Sequence, residues 1–347
     1  MKKIILILFL LPSLLGNAQT VDNLVFEGAG IRGIAYCGAL MQLDEMDYLK
    51  SVRRVGGTSS GAITSCLLSV GYTPQEIYEI IGETNFGKFN DGGGIFIGGI
   101  HRLKKKLGYY KGKKFLQWLE ELVEVKTGSK DFTFAELQAK ATSNYSNNPY
   151  KELVISATSL NHQEPIFFSF YTYPNMRIVD AVRASMAVPY YFEPIIIDAN
   201  GKSVSFKEMK PEDHICVDGG FTTNFPIYIF DYLPYCNGTD FQIENERACT
   251  ASTLGLRIDN IEQINSDQKG TRELVDVPIE DIKDYSIAFY YLIKESMNRF
   301  TLTEEDWDRT ISISDCEIGP KVKKLSQAEK DVLIKAGRDA VVEYLGS

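Results

Sequence analysis

A β-branched run at residues 51–55 and an apolar stretch of helical spacing from Ala62 to Val70 are joined by the pentapeptide Gly57-Thr58-Ser59-Ser60-Gly61. A strand that becomes a helix within five residues must turn sharply. At the apex the backbone of Ser59 is strained and its hydroxyl is pushed outward, and side chains two residues to either side would collide. Both flanks, Gly57 and Gly61, are therefore glycine. The helix that follows, stopped by Gly71, points its N-terminal N–H groups and positive dipole end at any anion forming beside Ser59. Ser60, beside it, has no assigned role, and its replacement is expected to matter far less.

A second glycine-rich turn precedes the first. The short buried-type strand Asn23-Leu24-Val25-Phe26 runs into Glu27-Gly28-Ala29-Gly30-Ile31-Arg32-Gly33, after which helical spacing resumes to about Leu49. Gly28-x-Gly30-x-x-Gly33 matches a dinucleotide fingerprint, but that use needs an acid at the end of the second strand, about 20 residues on. Asp44, Glu45 and Asp47 fall in the first helix instead, and the second strand ends at the Ser59 turn. The turn fits better as a loop that aims backbone N–H groups at developing negative charge, with Arg32 adding positive potential. Adjacent parallel strands would bring this loop and Ser59 into one crevice. A third turn of the same kind ends the strand 215–217 in Asp218-Gly219-Gly220.

Elsewhere the chain alternates helical and strand patterns without a repeat. Capping boxes open helices at Thr73, Thr133 and Ser326, residues 153–158 and 166–169 read as strands, and 282–300 as a long helix. Residues 90–100, glycine-rich and apolar at the tip, break all periodicity. Arg102, Lys104, Lys105, Lys106, Lys111, Lys113 and Lys114 follow at once. Residues 92–106 are either a solvated face or a lid that makes transient contact with a membrane surface. Residues 250–347 carry no evident chemistry and read as structural.

The 347 residues suit one large domain. Met1-Lys2-Lys3, the apolar run 4–11, and small residues Gly16 and Ala18 read as a secretory signal peptide over 1–18, with an uncleaved anchor as the alternative. The expectation is an exported protein whose domain spans 19–347. Loss of Lys2 and Lys3 takes the net charge from −9 to −11, which argues against nucleic-acid binding. Six cysteines without C-x-x-C pairs read as buried thiols, with Cys236–Cys249 the least implausible bridge. No metal-ligand spacing is present, and no cofactor or metal is expected.

A Ser-His-Asp machine of the α/β-hydrolase order requires a histidine after the acid. The three histidines, His101, His162 and His214, all precede Asp218, which leaves that carboxylate as the best base for Ser59. The ordered set Glu27-Gly28-Ala29-Gly30-Ile31-Arg32-Gly33, Gly57-Thr58-Ser59-Ser60-Gly61 and Asp218-Gly219-Gly220 resembles the three signatures of the patatin-like phospholipases. Asp180-Ala181-Val182-Arg183-Ala184-Ser185-Met186-Ala187-Val188-Pro189 is similar to a further segment of that family. The matches span about residues 24–226.

The resemblance implies a three-layer α/β/α sandwich with a mainly parallel central sheet, and a lipid acyl hydrolase acting on lipid or phospholipid. It further implies Ser59 as nucleophile, Asp218 as base, and an oxyanion site at Gly28, Ala29 and Gly30 with Arg32 nearby. Gly33, Gly219 and Gly220 complete the motifs. A lipid-binding protein that has lost turnover is the alternative from another class. Ala29 stands where the family usually has glycine. If its φ were positive the Cβ would cost about 1 kcal/mol. The Gly220 departure from alanine is expected to be silent.

Overall fold

The computed structural model describes residues 21–92, 99–143, 148–232, 235, 247, 252–270, 273–319 and 324–346. Residues 1–18, expected to be a signal peptide, the apolar glycine-rich residues 93–98, and Cys236 and Cys249, the expected bridge, lie outside the described residues.

Among the described residues, eleven strands and eleven α-helices follow in chain order: β1 (Asn23–Phe26), α1 (Ala35–Glu45), β2 (Arg54–Gly57), α2 (Ser60–Ser69), α3 (Pro74–Glu83), α4 (Ile100–Lys106), β3 (Gly108–Tyr110), α5 (Lys113–Thr127), α6 (Phe134–Thr142), β4 (Glu152–Ser159), β5 (Glu164–Phe168), α7 (Ile178–Ser185), β6 (Tyr190–Phe192), β7 (Ile195–Ile197), β8 (Ser203–Val204), β9 (His214–Asp218), β10 (Thr253–Asp259), α8 (Ile261–Gln268), α9 (Ile282–Thr301), α10 (Glu304–Asp308), β11 (Thr310–Ser314) and α11 (Gln327–Gly346). The boxes at Thr73 and Thr133 close as expected, each threonine accepting from a glutamate N–H whose side chain bonds back. Ser326 and Glu329 do the same before α11.

Nine strands form one sheet in the order β11-β10-β1-β2-β4-β9-β7-β8, with β5 also on β4. From β11 to β4 every pairing is parallel. Beyond β4 the pairings turn antiparallel. The register on β4 fixes the site. Ile155 pairs with Gly57 and with Phe168, and Ala157 with Ile166 and with Asp218. Because β5 fills one edge of β4, β2 and β9 share the other, running toward each other and ending two residues apart. Asp218 thus does not reach the crevice as the end of a parallel neighbour, as the glycine-rich turn after it implied; its strand enters from the opposite direction.

The sheet is buried on both faces. Leu24, Phe26, Val55, Leu254, Leu256 and Ile258 face the larger apolar cluster, which includes α1, α2, α7 and α11. Val25 and Val154 face a smaller one built on Phe225, Ile227, Ile229 and Phe230, against which Leu302 packs just past α9. This is a three-layer α/β/α sandwich, as expected. On the smaller face the alternation also turns Glu27, Arg257 and Asp259 inward, where they meet Lys294, Glu295 and Asn298 of α9 and Asp267 of α8.

Candidate active site

Ser59 adopts φ 54 and ψ −119 between the last residue of β2 and the first turn of α2, a conformation a non-glycine residue holds only at a cost of about 1–3 kcal/mol. The flanking glycines are needed for space. A Cβ on Gly61 would lie 2.3 Å from the Phe26 carbonyl oxygen, and one on Gly57 2.7 Å from the Gly61 carbonyl carbon. The turn is held from outside by Ser185 Oγ, which accepts the Ser59 N–H at 2.8 Å, and by Thr58, whose buried hydroxyl donates to the Thr223 carbonyl at 2.9 Å. The half-buried Ser59 hydroxyl lies 3.6 Å from Met186 Sδ and interacts with the Asp218 carboxylate.

Asp218 is buried at the inner end of β9. Its N–H donates to the Ala187 carbonyl at 3.0 Å, its carbonyl accepts from Thr158 Oγ1 at 3.0 Å, and its Oδ1 accepts the Gly220 N–H at 2.8 Å. Burial disfavours the charged carboxylate and pushes the pKa up to about 6, against the Gly220 N–H and the Ser59 hydroxyl, which pull it down. A carboxylate of raised proton affinity beside a serine hydroxyl is the arrangement that general-base activation requires. Glycine at 219 is needed for the approach: a Cβ there would sit 2.8 Å from both the Ser156 carbonyl oxygen and Thr58 Cγ2.

The loop after β1 lies against this turn, since a Cβ on Gly28 would be 3.3 Å from the Ser59 Cβ. Asn224 pins it: the Gly28 N–H donates to the Asn224 carbonyl and the Asn224 amide donates to the Gly28 carbonyl, both at 3.1 Å. Ala29 has φ −134 and ψ 7, so its Cβ carries no left-handed penalty; the positive φ, 58, falls on Gly30. The Ala29 N–H donates to Ser60 Oγ at 2.9 Å. The Gly28 and Ala29 N–H groups are so engaged, and the exposed Gly30 comes next in the loop.

Arg32 departs from expectation. Its side chain is fully buried, Nε donating to the Ala29 carbonyl at 3.1 Å, and Nη1 to Tyr291 Oη at 3.0 Å and Asp315 Oδ2 at 3.1 Å. It braces the loop from behind, and its charge is paired with Asp315 rather than offered to the crevice. Glu27, at the loop's other end, accepts from Asn298 Nδ2 at 2.9 Å and from the Ile258 N–H at 3.2 Å. Residues 250–347, read as structural, thus hold both ends of the loop.

The three histidines lie elsewhere. His101 is exposed on α4, while His162 and His214 stack edge-on at 4.8 Å, with His214 Nδ1 on Ser159 Oγ at 2.8 Å. His214 opens the strand that Asp218 closes, a separation of about 13 Å at strand rise.

A family model described as patatin-like phospholipase matches residues 24–231, more than half of the chain and all three glycine turns. The chain belongs to the patatin-like phospholipase family. Membership supports lipid acyl hydrolase activity. It is 25% identical over 337 residues to the uncharacterized protein R571 of Acanthamoeba polyphaga mimivirus, covering 96% of each chain. It is 28% identical over 213 residues to the probable lipid hydrolase 463L of invertebrate iridescent virus 6, covering 60% of this chain and 62% of that one. Among solved structures the fold matches VipD from Legionella pneumophila with a TM-score of 0.55 at 16% identity, covering 94% of this chain and 67% of that one.

Four residues that this patatin-like site uses were not singled out from sequence: Thr58, Ser60, Ser185 and Asn224. Ser185 and Met186 lie in the segment that carried part of the resemblance, a usable signal. Asn224 lies four residues past the Asp218-Gly219-Gly220 turn and belongs to none of the motifs, and a hydroxyl that serves one backbone N–H leaves no pattern along the chain.

Proposed function

We propose that this chain is a serine lipid acyl hydrolase that cleaves carboxylic ester bonds of lipids through a Ser59–Asp218 dyad. Asp218 takes the Ser59 proton as Oγ attacks the ester carbonyl. The oxyanion is held by the Gly30 N–H and the N-terminal end of α2. Protonated Asp218 returns its proton to the departing alcohol or lysolipid, leaving an acyl-serine. Asp218 then deprotonates a water that releases the fatty acid and restores the serine. The observation that carries this reading is a buried carboxylate with a pKa pushed up to about 6, facing a serine held at φ 54.

The working protein is taken to be exported and to meet its substrate at a membrane surface. Lys104, Lys105 and Lys106 at the end of α4 are exposed, as is Leu107 beyond them, which supports contact with anionic lipid by this end of the 92–106 stretch. The test is labelling by a serine-reactive fluorophosphonate together with hydrolysis of a short-chain ester and a phospholipid panel. Wild type is expected to label at Ser59 and turn over, and Ser59→Ala to do neither while remaining folded. Labelling elsewhere, or activity in Ser59→Ala, overturns the dyad.

A further inference from the structure

Helix α9 has the polarity of an ordinary surface helix turned inside out. At 100° per residue, Tyr291, Lys294, Glu295 and Asn298 fall on one side. That side is inward: Lys294, Glu295 and Asn298 are each no more than 3% exposed, Lys294 pairs with Glu27 and Glu295, and Tyr291 bonds Arg32. Tyr285, Phe289, Leu292 and Phe300 fall on the opposite side. They are 58%, 58%, 53% and 88% exposed. Surface helices bury their apolar stripe and show charge to water. Here the charged stripe is buried and the outer face carries Tyr285, Phe289 and Leu292 one turn after another, with Phe300 beyond Ser296.

We propose that this outer face of α9 docks on a lipid bilayer surface. An exposed row of aromatic and aliphatic side chains at helical spacing marks a contact surface rather than scattered surface hydrophobes. The family's substrate class names the apolar medium that such an enzyme must meet, and in that respect the proposal rests on the lipid-hydrolase reading. No helix among the described residues is long and apolar enough to cross a membrane, so the contact is one of lying on the interface. The inner face of the same helix holds Glu27 and Arg32 at the two ends of the loop beside Ser59, so the seat on lipid and the loop share one rigid element.

The experiment uses the full chain and phosphatidylcholine vesicles without net charge, in high salt, to silence the lysines of α4. Phe289→Ser with Leu292→Ser, neither in contact with the site, should lower vesicle partitioning by roughly 100-fold. Hydrolysis of a soluble short ester and fluorophosphonate labelling should stay at the wild-type level. Phe289→Trp should shift its emission to the blue on adding vesicles. Unchanged partitioning in the double variant overturns the proposal. So does a dimer in solution that the double variant dissociates, which would make the face a protein contact. Loss of labelling in wild type would count instead against the hydrolase reading and leave the vesicle result to stand by itself.

Discussion

The Ala29 N–H donates to the Ser60 hydroxyl across 2.9 Å, tying the glycine-rich loop after β1 to the residue that follows the nucleophile. Both partners are buried, so the bond is sheltered from competing water. Ser60→Ala leaves a buried N–H without its acceptor, at a cost of about 1–3 kcal/mol. The variant should still be labelled at Ser59 but unfold at lower temperature and turn over more slowly, which is a larger effect than the sequence implied. Wild-type stability in Ser60→Ala would show that the loop does not depend on this bond.

Asp218 has a folded-state pKa above its unfolded one, so ionising it works against folding. No stability is lost below about pH 4. The loss grows as pH rises to about 6 and is complete above that, reaching about 3 kcal/mol. Asp218→Asn should therefore stabilise the protein by up to about that amount at pH 8 and by almost nothing near pH 3.5, while lowering turnover by orders of magnitude. Denaturant melts of both proteins at the two pH values check the sign. Wild-type kcat/KM should rise through about pH 6 as the base ionises.

Replacing His101, His162 and His214 by glutamine, singly or together, should leave most of the activity. Burial and the neighbouring His162 hold the His214 pKa below the ordinary value, so His214 is neutral at pH 7 and its removal deletes no charge there. A folded histidine variant as inactive as Asp218→Asn would restore a triad mechanism.

Tyr291→Phe and Asp315→Asn each take one partner from the Arg32 guanidinium, 259 and 283 residues away in the chain. Both should lower kcat on a short soluble ester with KM nearly unchanged, because the loop they brace serves the transition state rather than the bound ester. The phenylalanine variant should lose about 10-fold, as for one hydrogen bond. The asparagine variant removes the carboxylate charge that faces the buried Arg32, and should cost more stability than the phenylalanine variant. Equal kcat in Tyr291→Phe and wild type would remove Tyr291 from any positioning role.

Charge reversal at Lys104, Lys105 and Lys106 should weaken binding to anionic vesicles at low salt, with the difference vanishing as salt is raised. Lys106 lies 3.9 Å from Glu193, so its reversal also places two acids together, and Lys104→Glu with Lys105→Glu is the cleaner pair. Equal binding by reversed and wild-type protein at low salt would exclude this segment from the interface.

The parts of this site that sequence revealed were local. A strand, five residues and a helix define the turn at Ser59, and the caps at Thr73 and Thr133 announce themselves by residue type and spacing. What stayed hidden is set by partners far along the chain. Nothing in residues 214–218 says which way β9 runs against β4. Arg32 looked like a charge beside an anion until Tyr291 and Asp315 were seen to surround it. Helical spacing in 282–300 identified a helix but not which side is inward, because the usual rule that apolar residues face in fails where buried carboxylates and a lysine satisfy one another.

β10 lies between β1 and β11, so the strand that precedes the glycine loop is clasped on one side by residues beyond the segment that defines the family. Cutting the chain after residue 231 would keep every motif and strip that side. Backbone groups of β1 that now pair with β10 would become a bare rim available to a second chain. Glu27 would lose Lys294 and Asn298, and Arg32 would lose Asp315. The smallest segment that can be recognised is therefore shorter than the smallest that can stay soluble, and a fragment trimmed to its signatures should aggregate rather than report on the enzyme.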